Sequence, residues 1–165
     1  SRYGICDINR TRVKGMSLFE DIKDLSGGKP HGNVWWRNQL FWALEGADGP
    51  IPTTAVTFTY RAEYGEKMRF WDKYPMVYIL GESGQHFWGA NVHYLQPAAR
   101  SAGFSVAAPP QTIHKYLRSN VISPLKKIPE SEYDDIGLLP TEQWISTING
   151  VQVPIPSAIV YKNYL

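Results

Sequence analysis

The sequence predicts an α+β fold: a small β-rich domain, barrel-like or mixed-sheet, with short helices and extended N- and C-terminal arms. Three observations lead there. Residues 53–60 and several later runs alternate and are rich in β-branched and aromatic side chains, as strands are. Two earlier stretches place apolar residues at helical spacing. The ends show neither period, and Pro140, Pro154 and Pro156 favour extended backbone in the last segment.

Taken in order, residues 1–15 read as an arm dotted with Arg and Gly. Ser17 is a capping residue with Glu20 three positions on, and Leu18, Ile22 and Leu25 share a helical face before Gly27-Gly28 ends it. Asn33 opens a second helix over 34–45 with Gly46 as its stop. Val34, Leu40, Phe41 and Leu44 form its apolar stripe, and Trp35, Trp36 and Trp42 widen it, so the helix needs cover on most sides. Asp48-Gly49-Pro50 is a turn. Strands follow at 53–60, 67–71 and 76–80, and Gly81-Glu82-Ser83-Gly84 turns the chain into a strand over 85–95. Residues 98–104 read as a helical turn, 113–121 as a helix, 122–128 as extended, and 132–138 as a strand or short helix. From Leu139 the tail is expected to be extended and to wrap the surface. The division is 1–50 for the arm and helices, 51–140 for the β-rich core domain, and 141–165 for the tail.

Composition narrows the function. Charged residues are 19% and aromatics 13% of the 165-residue chain. Either partners cover part of the surface, since interface centres lose charge and gain Tyr, Trp and Arg, or a small aromatic-rich core lies under many loops. A formal charge of +2 does not by itself argue for nucleic acid. The single Cys6 excludes an intramolecular disulfide and a Cys-based zinc site, which suits a reducing cytoplasm. No apolar run approaches the roughly 20 residues of a membrane span, and the first residues lack the apolar stretch of a secretory signal. No membrane partner is expected.

No nucleotide-binding glycine loop and no zinc-protease helix motif is present. His86 and His93 lie seven apart, which on one strand sends them to opposite faces. Ser83 and His86, with Asp72, are the nearest thing to a nucleophilic set, but Ser83 sits in a Gly-flanked turn. Glu130, Glu132, Asp134 and Asp135 have the residue types of a carboxylate or metal site, and bunch as a solvated loop does. No catalytic, cofactor or metal site is expected. For partner binding the candidates are Arg2, Tyr3, Arg10, Arg12 and Lys14 of the basic arm, with Trp35 and Trp36. A flexible basic arm tracks phosphates, and an arm seated on an acidic neighbour has the same composition. Phe70, Trp71, Tyr74, Tyr78, Phe87, Trp88 and Tyr94 are of the type that stacks bases. Without Arg or Lys interleaved on the same strands, packing is the better account.

The run from Gly65 through Asp72-Lys73-Tyr74-Pro75 into Gly89-Ala90-Asn91-Val92-His93-Tyr94-Leu95 resembles a family of small virion proteins of large tailed bacteriophages. That family shows tyrosine-aspartate-x-aromatic-proline, then glycine-x-asparagine-x-histidine-tyrosine-leucine; Trp71 stands here where its tyrosine usually is. His114-Lys115-Tyr116-Leu117-Arg118 and Leu138-Leu139-Pro140-Thr141-Glu142-Gln143-Trp144 are similar to its later blocks, so the likeness covers about 56–145. Relatives are often labelled DNA end protector proteins. The resemblance implies a virion component near the neck or tail and supplies no catalytic residues. Within it Asp72, Tyr74, Pro75, Gly89, Asn91, His93, Tyr94 and Leu95 are expected to be structural: Tyr74-Pro75 sets the strand entry, Gly89 permits close backbone approach, and His93 and Tyr94 bring polar tips to buried hydrogen bonds.

The leading expectation is therefore a structural subunit of a tailed-phage virion, in neck, tail or baseplate, assembled in the host cytoplasm and binding other phage structural proteins in a multi-subunit ring or assembly. The alternative is a DNA-end-binding protector, with phage DNA as partner, using the basic arm together with Lys115, Arg118, Lys126 and Lys127. A nuclease or peptidoglycan hydrolase is the second alternative.

Overall fold

The computed structural model describes residues 17–62 and 67–165. Arg2, Tyr3, Arg10, Arg12 and Lys14 lie outside the described residues. Helix α1 (Leu18–Ser26) begins as expected, the Ser17 hydroxyl accepting from the Glu20 amide at 3.1 Å. A second acceptor arrives from far along the chain: Glu132 Oε1 takes the Phe19 amide at 3.1 Å, placing a carboxylate at the positive end of the helix. Gly27, at φ 61°, closes it. Leu18 and Ile22 are buried, whereas Leu25, expected beside them, is exposed because the last turn presents Ser26 to the core instead.

Helix α2 (Asn33–Ala43) buries Leu40 and Phe41 and stops at Leu44, two residues before the expected glycine. The chain leaves early because the Glu45 carbonyl accepts from the Lys127 amide and Gly46 bridges Lys126. Val34 and Trp42 face solvent, so the helix is covered on fewer sides than its composition suggests.

Strands β1 (Ala55–Thr57), β3 (Met76–Ser83), β4 (His86–Asn91), β5 (Ile113–Leu117) and β6 (Lys126–Ile128) form one antiparallel sheet in the order β5-β4-β3-β1-β6. Both faces are covered. Ala55 and Met76 join Leu18, Ile22, Leu40, Val92, Ile128, Ile136 and Leu139 on one side. Val56, Phe58, Val77, Ile79, Phe87 and Tyr116 pack on the other. Ser83 pairs with His86, so the hairpin turns on Gly84 (φ 57°) and Gln85 alone. Gly89 serves the expected close approach: a β-carbon there would lie 2.2 Å from the Tyr78 carbonyl oxygen.

A second antiparallel sheet orders β2 (Trp71–Asp72), β7 (Trp144–Ile148) and β8 (Val151–Ile155) as β2-β7-β8, followed by helix α3 (Ser157–Tyr164). The α+β class stands as expected, with two open sheets rather than a closed barrel.

Several elements differ from expectation. Residues 113–121 are not a helix: 113–117 pair with β4 and only 118–120 make a 3-10 turn. Ile113, Tyr116 and Leu117 fit a helical stripe, yet Tyr116 is buried among rings that only a strand on the β4 edge reaches. The expected tail is a hairpin and a helix, in which Trp144 and Val160 are fully buried. Asn149 (φ 52°) and Gly150 (φ 78°) supply its two-residue turn, the backbone twist that matches paired strands. The strand expected over 53–60 is shorter because Thr53 takes a left-handed φ of 65°. The strand over 85–95 ends at Asn91 in a 3-10 turn, Val92–Tyr94, so strand alternation does not govern His93. The 67–71 strand shrinks to Trp71–Asp72, and 132–138 falls across two 3-10 turns, Glu130–Glu132 and Ile136–Leu138.

Candidate functional site

The residues singled out in the central block converge on one buried carboxylate. Asp72 Oδ2 accepts from His93 Nδ1 at 2.6 Å and from Asn91 Nδ2 at 3.0 Å; its Oδ1 accepts the amides of Tyr74 at 3.0 Å and Gln143 at 3.1 Å. Asn91 Oδ1 in turn takes the amides of Met76 and His93. Burial works against the Asp72 charge, but His93 beside it and these hydrogen bonds outweigh burial and hold the carboxyl below its usual range. His93 Nε2 lies 3.0 Å from Thr141 Oγ1. Acid, imidazole and hydroxyl are thus linked as in an acyl-transfer relay, yet all three are buried and every acceptor position of Asp72 is engaged. The set ties β2, β4, the 3-10 turn after it and the 139–143 loop together. Tyr74 and Leu95 are buried at its margins, and the Pro75 carbonyl accepts from Thr57 Oγ1 at 2.8 Å.

A second buried pair fastens the C-terminal helix. Arg100 meets Glu142 at 2.9 Å, donates to the carbonyls of Leu95 and Gly137, and donates to the Tyr161 hydroxyl. Glu142 also accepts from Ser157 and Asn33, so α2 and α3 meet on one carboxylate.

Beside Asp72 the protein leaves a concave pocket of about 510 Å³. Trp71, Tyr94, His114 and Tyr116 line it, and Lys115 stands among them. β2 and β5 carry four of these five, and the turn after β4 carries Tyr94. Tyr94 leans on His114, ring centres 4.0 Å apart at 31°, and meets Trp144 edge-on at 4.9 Å. His114 Nδ1 is 2.8 Å from the Thr112 carbonyl, which requires the proton on Nδ1 and leaves Nε2 an acceptor. Burial lowers the His114 pKa; the Thr112 carbonyl and the Asp72 charge oppose this without cancelling it, so the ring is neutral at neutral pH. Burial, with Asp72 adding to it, pushes the Tyr94 phenol up.

The structure separates the expected cations. Lys115 and Arg118 lie at the β5 edge of the larger sheet, with Arg118 engaged by Glu82 at 3.2 Å. Lys126 and Lys127 lie on β6 at the opposite edge, and Lys126 donates to the Leu44 carbonyl. Trp35 and Trp36 sit on α2 against His31, whose ring stacks on Trp35 at 3.7 Å, and neither lines the pocket. Of the aromatic residues weighed for base stacking, Tyr74 and Phe87 are core, while Trp71 and Tyr94 border the pocket. Ser83 is exposed at the hairpin, and Asp72 is fully engaged elsewhere than with His86. Of the acids at 130–135, Glu132 is buried on the α1 terminus and the other three are exposed. Among the described residues no three His, Cys, Asp or Glu side chains gather where a metal would be held, and no helix is long and apolar enough to cross a membrane.

His114 and Tyr116 were missed as pocket residues because a helix at 113–121 scatters them. On a strand, their i, i+2 spacing puts them on one face. Thr141, Arg100 and Glu142 carried no local signal.

No curated protein and no solved structure matches the chain. One family model does: that described as phage T4 terminal DNA protecting protein matches residues 22–105, half of the chain. The matched segment contains Asp72, Asn91 and Tyr94, which line the pocket, and His93, which is bonded to Asp72. By this match the chain belongs to the phage T4 terminal DNA protecting protein family.

Proposed function

We propose that this chain is a DNA-end-binding protector of phage DNA, acting by occupancy rather than by catalysis. The observation that carries the reading is the family match, whose segment supplies part of the one concave aromatic site described above. Occupying a terminus needs affinity and a site that tells an end from continuous duplex. Lys115 and the basic arm residues Arg2, Arg10, Arg12 and Lys14 supply phosphate attraction, and the pocket supplies a feature that an uninterrupted helix cannot fill. The protein would travel in the virion with the DNA it covers, after assembly in the host cytoplasm.

The test compares a linear duplex with a duplex of the same sequence closed by hairpins at both ends, using fluorescence anisotropy. Linear DNA is expected to bind about tenfold tighter or better, with affinity falling by a log-log slope of about −0.9 per phosphate neutralised as salt rises. Equal affinity for the two DNAs would refute end recognition. A parallel exonuclease assay should show the linear duplex shielded at the same protein concentration.

One observation favours a second reading, the structural subunit of neck, tail or baseplate. β8 is an edge strand, and Val151 and Val153 on it are exposed together with Ile148 on β7. An exposed apolar edge invites a neighbouring chain. Val151→Lys and Val153→Lys together should then impair incorporation into particles while leaving DNA binding by the purified chain unchanged.

A further inference from the structure

We propose that the pocket between β2 and β5 takes one unpaired base from the terminus of the DNA, with Lys115 meeting the phosphate that follows it. This rests on the DNA-end reading above and specifies which part of the end is held.

The charges decide between base and phosphate. Asp72 lies at the pocket floor with its carboxyl ionised, and His114 contributes no positive charge. An anion inside would meet the Asp72 carboxylate, and among the described residues no buried Lys or Arg lines the pocket to receive it. Among the described residues Lys115 is the only Lys or Arg lining the pocket, and it is exposed. A neutral, flat, polarisable group suits the interior and an anion suits the edge, which is the arrangement of a nucleotide.

The walls agree. Tyr94 presents a partly exposed ring, backed by the buried rings of Trp71 and Tyr116, and bases stack on such aromatic surface with little regard to sequence. A volume of about 510 Å³ falls within the usual range for small-ligand sites. The His114 Nε2 acceptor, set by the Thr112 carbonyl, matches the exocyclic amino or ring N–H groups that every base carries. A base reaches such a pocket only by leaving its stack. That costs least where it is already unpaired, so a single strand or a frayed end enters and continuous duplex does not.

Aromatic walls are not stabilised by an internal occupant. Tyr94 is already braced by Trp144 and Phe70, with ring centres 4.9 Å and 5.9 Å away, and Tyr116 by Phe58 and Phe87 at 5.5 Å and 5.4 Å. The site is therefore formed before the ligand arrives, which removes the ordering cost of binding.

The experiment uses the full chain and linear duplexes with a short single-stranded overhang, either natural or abasic at the terminal nucleotide. The abasic terminus should bind about tenfold more weakly to the unaltered protein. His114→Ala should weaken binding to the natural terminus and narrow the natural-to-abasic difference, while Lys127→Ala at the opposite sheet edge keeps that difference intact. If the abasic terminus binds as tightly as the natural one while linear DNA is still preferred over the closed duplex, the pocket does not hold a base and end recognition lies elsewhere. If linear and closed DNA bind alike, the DNA-end reading itself fails. Because the abasic comparison needs no substitution, it decides the matter even if His114→Ala does not fold. Weakening by His114→Ala that is equal for both termini also overturns the proposal.

Discussion

Asp72 keeps a full negative charge inside the protein, and the groups around it determine what its removal does. Four hydrogen bonds converge on its two oxygens, all from donors. Asp72→Asn keeps the shape but turns one acceptor into a donor that faces His93 or Asn91, so repulsion replaces attraction. Breaking such a buried set is expected to cost about 3 kcal/mol or more at pH 7, read as a shift of the urea midpoint. The pH dependence has a definite sign. The folded carboxyl titrates below its ordinary value of 3.8. Its contribution is therefore complete above the unfolded pKa of about 3.9 and is lost as pH falls through the folded value. The stability gap between the original protein and Asp72→Asn should shrink as pH falls below about 4; a gap that widens there would contradict the assignment. The resemblance to the phage block picks out Asp72, Asn91 and His93 as structural residues, with His93 and Tyr94 as polar tips for buried hydrogen bonds. That they share one carboxylate was not legible, because they come from separate elements 19 and 21 residues from Asp72. Thr141, 48 residues beyond His93, is a pairing that only the folded chain defines.

Elements were legible where a local signal acts alone. α1 has its capping serine, its helical stripe and its glycine, and it forms within one residue of expectation. β3 and β4 have alternation and a glycine turn, and they form as a hairpin. The failures lie where two periods coincide or where a turn was overlooked. Residues 113–117 satisfy both helical and strand spacing, and pairing with β4 decides between them. In the last segment the prolines outweighed Asn149-Gly150 in the sequence reading, although that dipeptide is a strong hairpin signal. Pro154 is accommodated because β8 is an edge strand, where one missing amide is tolerated. The reach of α3 into the core yields a further prediction. Tyr161 accepts from Arg100, and Val160 next to it is fully buried. Tyr161→Phe removes that acceptor from a buried cation while keeping the ring. It should cost about 1.5–3 kcal/mol in unfolding free energy, measured by urea titration. A negligible loss would mean that α3 is held by Val160 and Glu142 alone.

At the scale of the molecule the low charge and the many aromatics have an internal explanation. Two readings were open, a covered surface and an aromatic-rich core, and the rings form continuous internal sets. Phe58, Tyr60, Phe87 and Tyr116 meet beneath the larger sheet, and Phe70, Tyr94 and Trp144 meet beside the smaller one. Among the described residues Trp42 on α2 and Tyr164 on α3 are exceptions, both exposed. The core therefore does not depend on neighbours for most of its aromatic burial. It is also shared across the chain: Leu18 and Ile22 of α1 belong to the same cluster as Ile128, Ile136 and Leu139. β1 and β3 give alternate residues to the clusters on the two sheet faces, so neither face can melt while the other keeps its strands. The isolated chain is accordingly expected to unfold in one cooperative step, with far-ultraviolet circular dichroism and tryptophan fluorescence giving superimposable urea curves. The tryptophans make the comparison discriminating, because Trp144 is buried beside the small sheet while Trp35 and Trp36 sit on α2. Separate transitions would mean that α1 and α2 open independently of the sheets; a single transition in the absence of any partner would mean that assembly contacts add to a fold that is already complete.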